Sequence, residues 1–194
     1  MSRPPIRTFI VDDHPAMRGG VAAVLDQEED IVVVGAATGG RQMWRMLGSA
    51  EPDVLLMDFD LDGDDGVILC HRLKQRPDAP GVVLYSAYAD RALISAAMLA
   101  HADALLSKRA DASVICNAVR DASRRSLPPA LPSDERERLG STLDERELSL
   151  AALVLSRLPT KDLAVATGMT PDEVGAAVEL MIRKLVPVRA GTRR

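Results

Sequence analysis

Long apolar runs are missing from this chain. No stretch free of charged side chains exceeds Ala92 to Ala102, well short of the roughly 18 to 20 apolar residues that cross a bilayer, so neither a transmembrane helix nor a membrane partner is expected. The N-terminus is equally poor in signal-peptide character. Met1-Ser2-Arg3-Pro4-Pro5 leads into a short apolar segment that Asp12 and Asp13 break at once, which predicts a cytoplasmic protein. Cysteine is scarce: Cys70 and Cys116 form no CxxC or CxxxC pair, and each lies in a helix-like apolar pattern. That suits buried thiols in a reducing compartment and excludes a disulfide framework or a zinc site. Internal repeats and low-complexity tracts are absent as well.

What is present is the balance of a globular chain. Of 194 residues, 47% are hydrophobic and 27% charged, which excludes disorder of the whole chain and allows one large domain or two small ones. The formal net charge of −4 is unevenly spread. Residues 1–121 carry 12 Lys and Arg against 18 Asp and Glu, and residues 122–194 carry 12 against 10. The first part is therefore acidic and the second mildly basic. The shift falls in Ser123-Arg124-Arg125-Ser126-Leu127-Pro128-Pro129-Ala130-Leu131-Pro132-Ser133, whose Pro and Ser content and weak periodicity read as a linker. The expected organisation is a first domain over 1–122, a linker over 123–140 and a second domain over 141–194.

Five short apolar runs punctuate the first domain: Ile6 to Val11, Ile31 to Ala36, Val54 to Met57, Val82 to Tyr85 and Ala104 to Leu106. They are too continuous for half-exposed strands and rich in β-branched residues, so they read as buried parallel strands. Amphipathic stretches near 15–27, 39–49, 65–75, 89–100 and 111–123 alternate with them. The fold class is thus α/β, a (βα)5 doubly wound parallel sheet, with ligands expected at the carboxyl ends of the strands. Strand one ends in Asp12-Asp13, strand three in Asp58, strand four in Ser86, and Lys108 follows strand five. Two unit charges about 4 Å apart repel by roughly 4 kcal/mol at an effective dielectric of 20. Three converging carboxylates therefore call for a divalent cation, and all-oxygen ligation favours Mg²⁺. In such a site Asp58 is the nucleophile toward phosphorus, Lys108 and the metal neutralise equatorial oxygens, and Ser86 hydrogen-bonds a phosphoryl oxygen.

Val11-Asp12-Asp13-His14-Pro15, Leu56-Met57-Asp58-Phe59-Asp60-Leu61, Ser86-Ala87 and Leu106-Ser107-Lys108 occur in order over residues 4–121. In this the chain resembles the receiver domain (flavodoxin-like) of a bacterial two-component response regulator. The resemblance implies Mg²⁺ held by Asp13, Asp58 and the backbone carbonyl of Asp60, with Asp12 reaching it through water, and a histidine kinase as phosphodonor. It implies phosphoryl-binding and switch positions at Ser86, Ala87, Lys108 and Leu105. Two residues depart from the family pattern: Asp62 stands where a proline is common, and Leu105 where an aromatic switch residue is expected. Leu105 has no polar tip, and Tyr85 or Tyr88 is the available substitute.

Two decoys overlap the acidic loop. Asp58, Asp60, Asp62 and Gly63 match the first half of a calcium EF-hand loop, but position twelve is Leu69 and a strand precedes it. Asp58-Phe59-Asp60 also resembles the nucleophile motif of haloacid-dehalogenase-like phosphatases, which sits on a first strand rather than a third. His14, His71 and His101 do not cluster in the sequence and read as surface or packing residues.

The second domain reads as short helices. Asp144-Glu145-Arg146-Glu147 has the form of a capping box opening a helix through Leu155. Thr160 is expected to cap a second helix ending at Gly168, and Thr170-Pro171-Asp172-Glu173 opens a third. Leu158 to Ala164, Gly168-Met169-Thr170 and Val174 to Leu185 resemble the helix-turn-helix of LuxR/NarL-type regulators. That resemblance implies promoter DNA as partner and a homodimer through the receiver or the C-terminal domain. Family regulators contact DNA with polar side chains early in the third helix, where this chain has Glu173, Gly175, Ala176 and Ala177. The chain also ends at Arg194, where the family usually adds a fourth helix. Lys161, Arg183, Lys184 and Arg189 are the remaining candidates for DNA contact, with Arg193 and Arg194 behind them. The sequence thus reads as a non-enzymatic response regulator controlling transcription. The alternative is a phosphorylation-dependent protein-interaction regulator whose degenerate helix-turn-helix binds no DNA.

Overall fold

The computed structural model describes residues 4–87, 91–124 and 139–186. Most of the expected linker, Tyr88, Arg189, Arg193 and Arg194 lie outside them. In chain order the elements are β1 (Ile6–Val11), α1 (Pro15–Leu25), β2 (Ile31–Ala37), α2 (Gly40–Ala50), β3 (Val54–Asp58), β4 (Asp60–Leu61), β5 (Asp64–Asp65), α3 (Gly66–Lys74), β6 (Gly81–Ser86), α4 (Arg91–Leu99), β7 (Ala104–Ser107) and α5 (Ala112–Ser123). The C-terminal helices are α6 (Glu145–Leu155), α7 (Thr160–Thr167) and α8 (Pro171–Leu185). By packing, these fall into two units: the strands with α1, α2, α3 and α5, and the helix α4 with α6, α7 and α8. The sequence pattern counted α4 with the sheet.

In the first unit the five apolar runs form one parallel sheet in the order β2-β1-β3-β6-β7, the doubly wound order. Its central strands β3 and β6 are buried along their whole length because helices cover both faces. Ile10, Leu56, Val83 and Tyr85 join Val21 and Leu25 of α1 and Cys116 and Val119 of α5 in one buried cluster. Side chains alternate along a strand, so Phe9, Leu55, Met57 and Leu84, all buried, point to the face that α2 and α3 cover. Register slips by one residue where Thr8 pairs with Val33 and Phe9 with Gly35. Gly35 is required there, since a Cβ would stand 2.6 Å from the Phe9 ring.

Beyond β3 the acidic loop is more ordered than its composition suggests. Asp60 pairs with Asp65 and Leu61 with Asp64 in a small antiparallel hairpin, turned by Gly63 at φ 81. Asp65 then caps α3, its Oδ1 accepting from Val67 N at 2.8 Å and Ile68 N at 3.2 Å.

In the second unit α4 packs against α8 and α6. It buries Leu93 and Leu99 with the small Ala96 and Ala97, and α8 buries Val174, Val178, Met181 and Ile182. The expected capping box of Asp144 with Glu147 is present on α6, and Thr170 with Glu173 forms a second where α8 was expected to open. The expected cap of α7 is corrected. Thr160 is its first helical residue, and Pro159 is the N-cap, its carbonyl accepting from Asp162 N and Leu163 N. A proline locked near φ −65° suits that extended position. The helix ends at Gly168 with φ 70, as a left-handed cap requires. Among the described residues no helix is long and apolar enough to cross a membrane.

Candidate functional site

Strand register brings the chemistry together. Val11 pairs with Met57, Asp58 with Tyr85 and Ser86 with Ser107, so four strands end at one level and deliver Asp12, Asp58, Ser86 and Lys108 to one rim. Asp12 and Asp58 are both buried. Asp12 Oδ1 accepts from His14 N at 2.7 Å, and its Oδ2 accepts from the Tyr85 hydroxyl at 2.5 Å. Arg18 Nη1 donates to the Asp12 carbonyl at 2.7 Å. Asp58 Oδ1 accepts from Asp60 N at 3.2 Å and Oδ2 from Lys108 Nζ at 2.5 Å. Lys108 also reaches Asp12 Oδ2 at 3.3 Å. Its backbone N–H is anchored to Ser86 O at 2.8 Å, and its ammonium lies 5.1 Å from the Tyr85 ring centroid.

Electrostatics at the rim follow from this burial. Desolvation pushes the Asp58 carboxyl up to about 6, against the hydrogen bond and charge of Lys108, which hold it down. The Tyr85 phenol is driven above its ordinary value, first by burial and then by donating to the Asp12 carboxylate.

The donor set suits a hard divalent cation. One ligand atom from each of Asp12, Asp13, His14 and Asp58 can lie within 4.8 Å of the others. Asp13 Oδ1 is buried and accepts no hydrogen bond, although His14 Nδ1 stands 2.7 Å away. An orphaned carboxylate oxygen beside two buried carboxylates is the environment that Mg²⁺ satisfies.

Each expected residue can now be placed. Asp12, Asp13, Asp58 and Lys108 converge, and Asp60 joins them through its backbone N–H while its side chain is exposed. Ser86 is buried at the end of β6, Ala87 is exposed just after it, and Leu105 is half-buried in β7 opposite Leu84. Gly66 closes the loop that follows Asp58: its N–H donates to Phe59 O at 2.9 Å, and a Cβ there would stand 2.1 Å from Asp58 O. The expectation that no histidine joins a cluster is corrected for His14, which its place directly after Asp13 brings to the acidic rim. Sequence reasoning missed Arg18, and it named Tyr85 only as a substitute for the aromatic switch residue, not as a partner of Asp12. The one signal for Tyr85 was a hydroxyl-bearing side chain inside an otherwise aliphatic run.

On the C-terminal helices, Lys161 and Arg183 are exposed. Lys184 is exposed but pairs with Glu147, Nζ to Oε1 at 2.5 Å. Gly175 is buried, so it is no exposed contact position, whereas Ala176 is exposed and Ala177 half-buried. Glu173 accepts from Thr170 N at 2.7 Å, committing its carboxylate to the cap.

Comparison with known proteins agrees with this geometry. A family model described as the response regulator receiver domain matches residues 8–120. Over nearly the whole chain the protein is similar to the transcriptional regulatory protein LiaR of Bacillus subtilis, 30% identical over 182 residues, covering 92% of this chain and 84% of that one. It is also similar to the nitrate/nitrite response regulator NarL of Escherichia coli K12, 26% identical over 193 residues, covering 93% and 89%. Among solved structures, the signal receiver domain of the putative response regulator NarL from Mycobacterium tuberculosis superposes with a TM-score of 0.60 at 29% identity, covering 63% of this chain and 98% of that one. RcsB of Salmonella typhimurium shares the fold at a TM-score of 0.59 and 18% identity, covering 94% and 93%. With its strand-end carboxylates and lysine on one rim, and with relatives that align along nearly its full length, the chain belongs to the two-component response regulators of the LuxR/NarL type.

Proposed function

We propose that this response regulator accepts a phosphoryl group on Asp58 from a sensor histidine kinase and thereby controls transcription through its C-terminal helix-turn-helix. The proposed division is a receiver over 1–122, a linker over 123–140 and a DNA-binding domain over 141–194. The observation that carries this reading is the convergence of buried Asp12 and Asp58 with Lys108 and the unsatisfied Asp13 oxygen. Asp13, Asp58 and the Asp60 carbonyl would hold Mg²⁺, with Asp12 oriented toward it. When bound, the cation supplies charge neutralisation for the phosphoryl oxygens.

The residues of the chain supply the rest. An Asp58 carboxylate oxygen attacks phosphorus in line. The new O–P bond forms as the N–P bond of the phosphohistidine breaks, and the imidazole keeps the electron pair. Lys108, already against Asp58, meets the negative charge of the transferred group. Ser86 is poised at the strand end to hydrogen-bond one phosphoryl oxygen, with Ala87 and Leu105 as the neighbouring switch positions. Residual self-dephosphorylation is at most slow.

For the output, the full-length resemblance to a transcriptional regulatory protein supports DNA as the partner. A Salmonella RcsB structure of the same fold is bound to the promoter rprA. Exposed Lys161 and Arg183, with Arg189 beyond the described residues, are the proposed phosphate contacts, and Lys184 joins them on releasing Glu147. A homodimer through either domain fits the same reading. A second reading is favoured by the alanine-faced start of α8: a regulator that signals by protein contact and binds no DNA. A gel-shift with promoter fragments separates the two. Transcription control requires a shift that strengthens with a phosphodonor and not in Asp58→Asn. No shift in either state favours the second reading.

A further inference from the structure

We propose that Tyr85 is a positioning residue for phosphoryl transfer, its phenol holding Asp12 and its ring holding Lys108 so that the lysine stays committed to Asp58. The proposal rests on the reading of Asp58 as phosphoacceptor. A tyrosine buried in an aliphatic strand needs an acceptor for its hydroxyl, and this one donates to a charged carboxylate 73 residues away. Among the described residues, the donors to Asp12 Oδ2 are the Tyr85 hydroxyl at 2.5 Å and Lys108 Nζ at 3.3 Å. Lys108 in turn faces two carboxylates, Asp58 at 2.5 Å and Asp12 at 3.3 Å. A buried carboxylate oxygen left without its donor draws in the nearest cation. Removing the phenol therefore pulls Lys108 toward Asp12 and away from the oxygen where the phosphoryl group must form.

The ring acts on the same lysine. Lys108 Nζ lies 5.1 Å from the Tyr85 centroid, within the range of a cation–π contact. One strand thus carries three devices in two residues: the phenol on Asp12, the ring under Lys108, and the Ser86 carbonyl that accepts from Lys108 N at 2.8 Å. An aliphatic side chain at this position could supply none of the first two.

The test uses the full chain with Mg²⁺ and acetyl phosphate, and follows phosphorylation by intact mass. Tyr85→Phe keeps the ring and its volume and removes the hydroxyl alone. The rate at saturating donor is expected to fall about tenfold with the half-saturating donor concentration unchanged. Because Tyr85 acts through Asp12, the same change in an Asp12→Asn background is expected to cost no further rate. A Tyr85→Phe protein that labels at the wild-type rate, or an equal loss in both backgrounds, overturns the proposal. A measurement independent of how Tyr85→Phe folds uses Tyr88→Phe, which leaves Tyr85 as the only tyrosine. Its Raman ring doublet is expected to report a strong hydrogen-bond donor and to lose that signature in Asp12→Ala, whereas an unchanged doublet overturns the proposal. Wild-type protein that takes no label strikes the phosphoacceptor reading instead.

Discussion

Lys108 Nζ stands 2.5 Å from Asp58 Oδ2, and the ammonium and carboxylate are both largely withdrawn from solvent. Breaking a buried pair by removing one partner leaves the other uncompensated, typically at a loss of about 3 to 5 kcal/mol. Lys108→Ala is expected to be destabilised by about 3 kcal/mol in urea unfolding without divalent cations. Added Mg²⁺ is expected to recover part of the loss. An unchanged unfolding midpoint would contradict the pairing.

The elevated Asp58 carboxyl sets a pH dependence opposite in sign to that of an ordinary salt-bridged aspartate. Its folded value of about 6 lies above the usual 3.8, so between about pH 4 and 6 the native state keeps a proton that the unfolded chain has released. The stability this group contributes is full below pH 4 and is lost as pH rises through 6. The gap between 3.8 and about 6 corresponds to roughly 3 kcal/mol. Without divalent cations, the difference in unfolding free energy between wild type and Asp58→Asn is expected to move by about that amount from pH 4 to pH 6.5. A difference that stays flat would show that Asp58 titrates normally.

Gly66 is the tightest point of the loop, because a Cβ there would stand 2.1 Å from the Asp58 carbonyl oxygen. The backbone has to move to admit it. Gly66→Ala is expected to destabilise the protein by about 2 kcal/mol and to slow Asp58 labelling. Wild-type stability and labelling together would show that the loop is pliable.

Much of this was legible in the sequence, for identifiable reasons. Strands buried on both faces are continuous apolar runs, so all five sheet strands were found to within about a residue. Carboxylates at strand ends need no tertiary information to be placed on one rim. The β4–β5 hairpin escaped because it is built from aspartates, which strand propensity disfavours, and is held by the turn at Gly63. Thr160 misled because a good capping residue stood one position inside the helix that Pro159 opens. The bond of Tyr85 to Asp12 and the place of His14 at the rim were invisible because both depend on which strand end lies beside them. The burial of Gly175 and the packing of α4 on α8 and α6 are likewise tertiary facts with no local signature.

The helix-turn-helix makes a separate electrostatic expectation. Each phosphate contact adds about −0.9 to the slope of log K against log salt, and early α8 exposes no basic side chain. A shallow slope is expected for the wild type. Gly175 is buried, so the informative change is at exposed Ala176. Ala176→Lys is expected to tighten DNA binding and steepen the slope by about 1. A steep wild-type slope with nanomolar affinity would place the contacts elsewhere on the chain.

The account stands or falls on Asp58 as the phosphoacceptor, and intact-mass analysis after incubation with Mg²⁺ and acetyl phosphate tests this most directly. One added phosphoryl group is expected on the wild type, lost on removal of the cation and absent in Asp58→Asn. Labelling that persists in Asp58→Asn, or a wild type that takes no label with Mg²⁺ present, would contradict it.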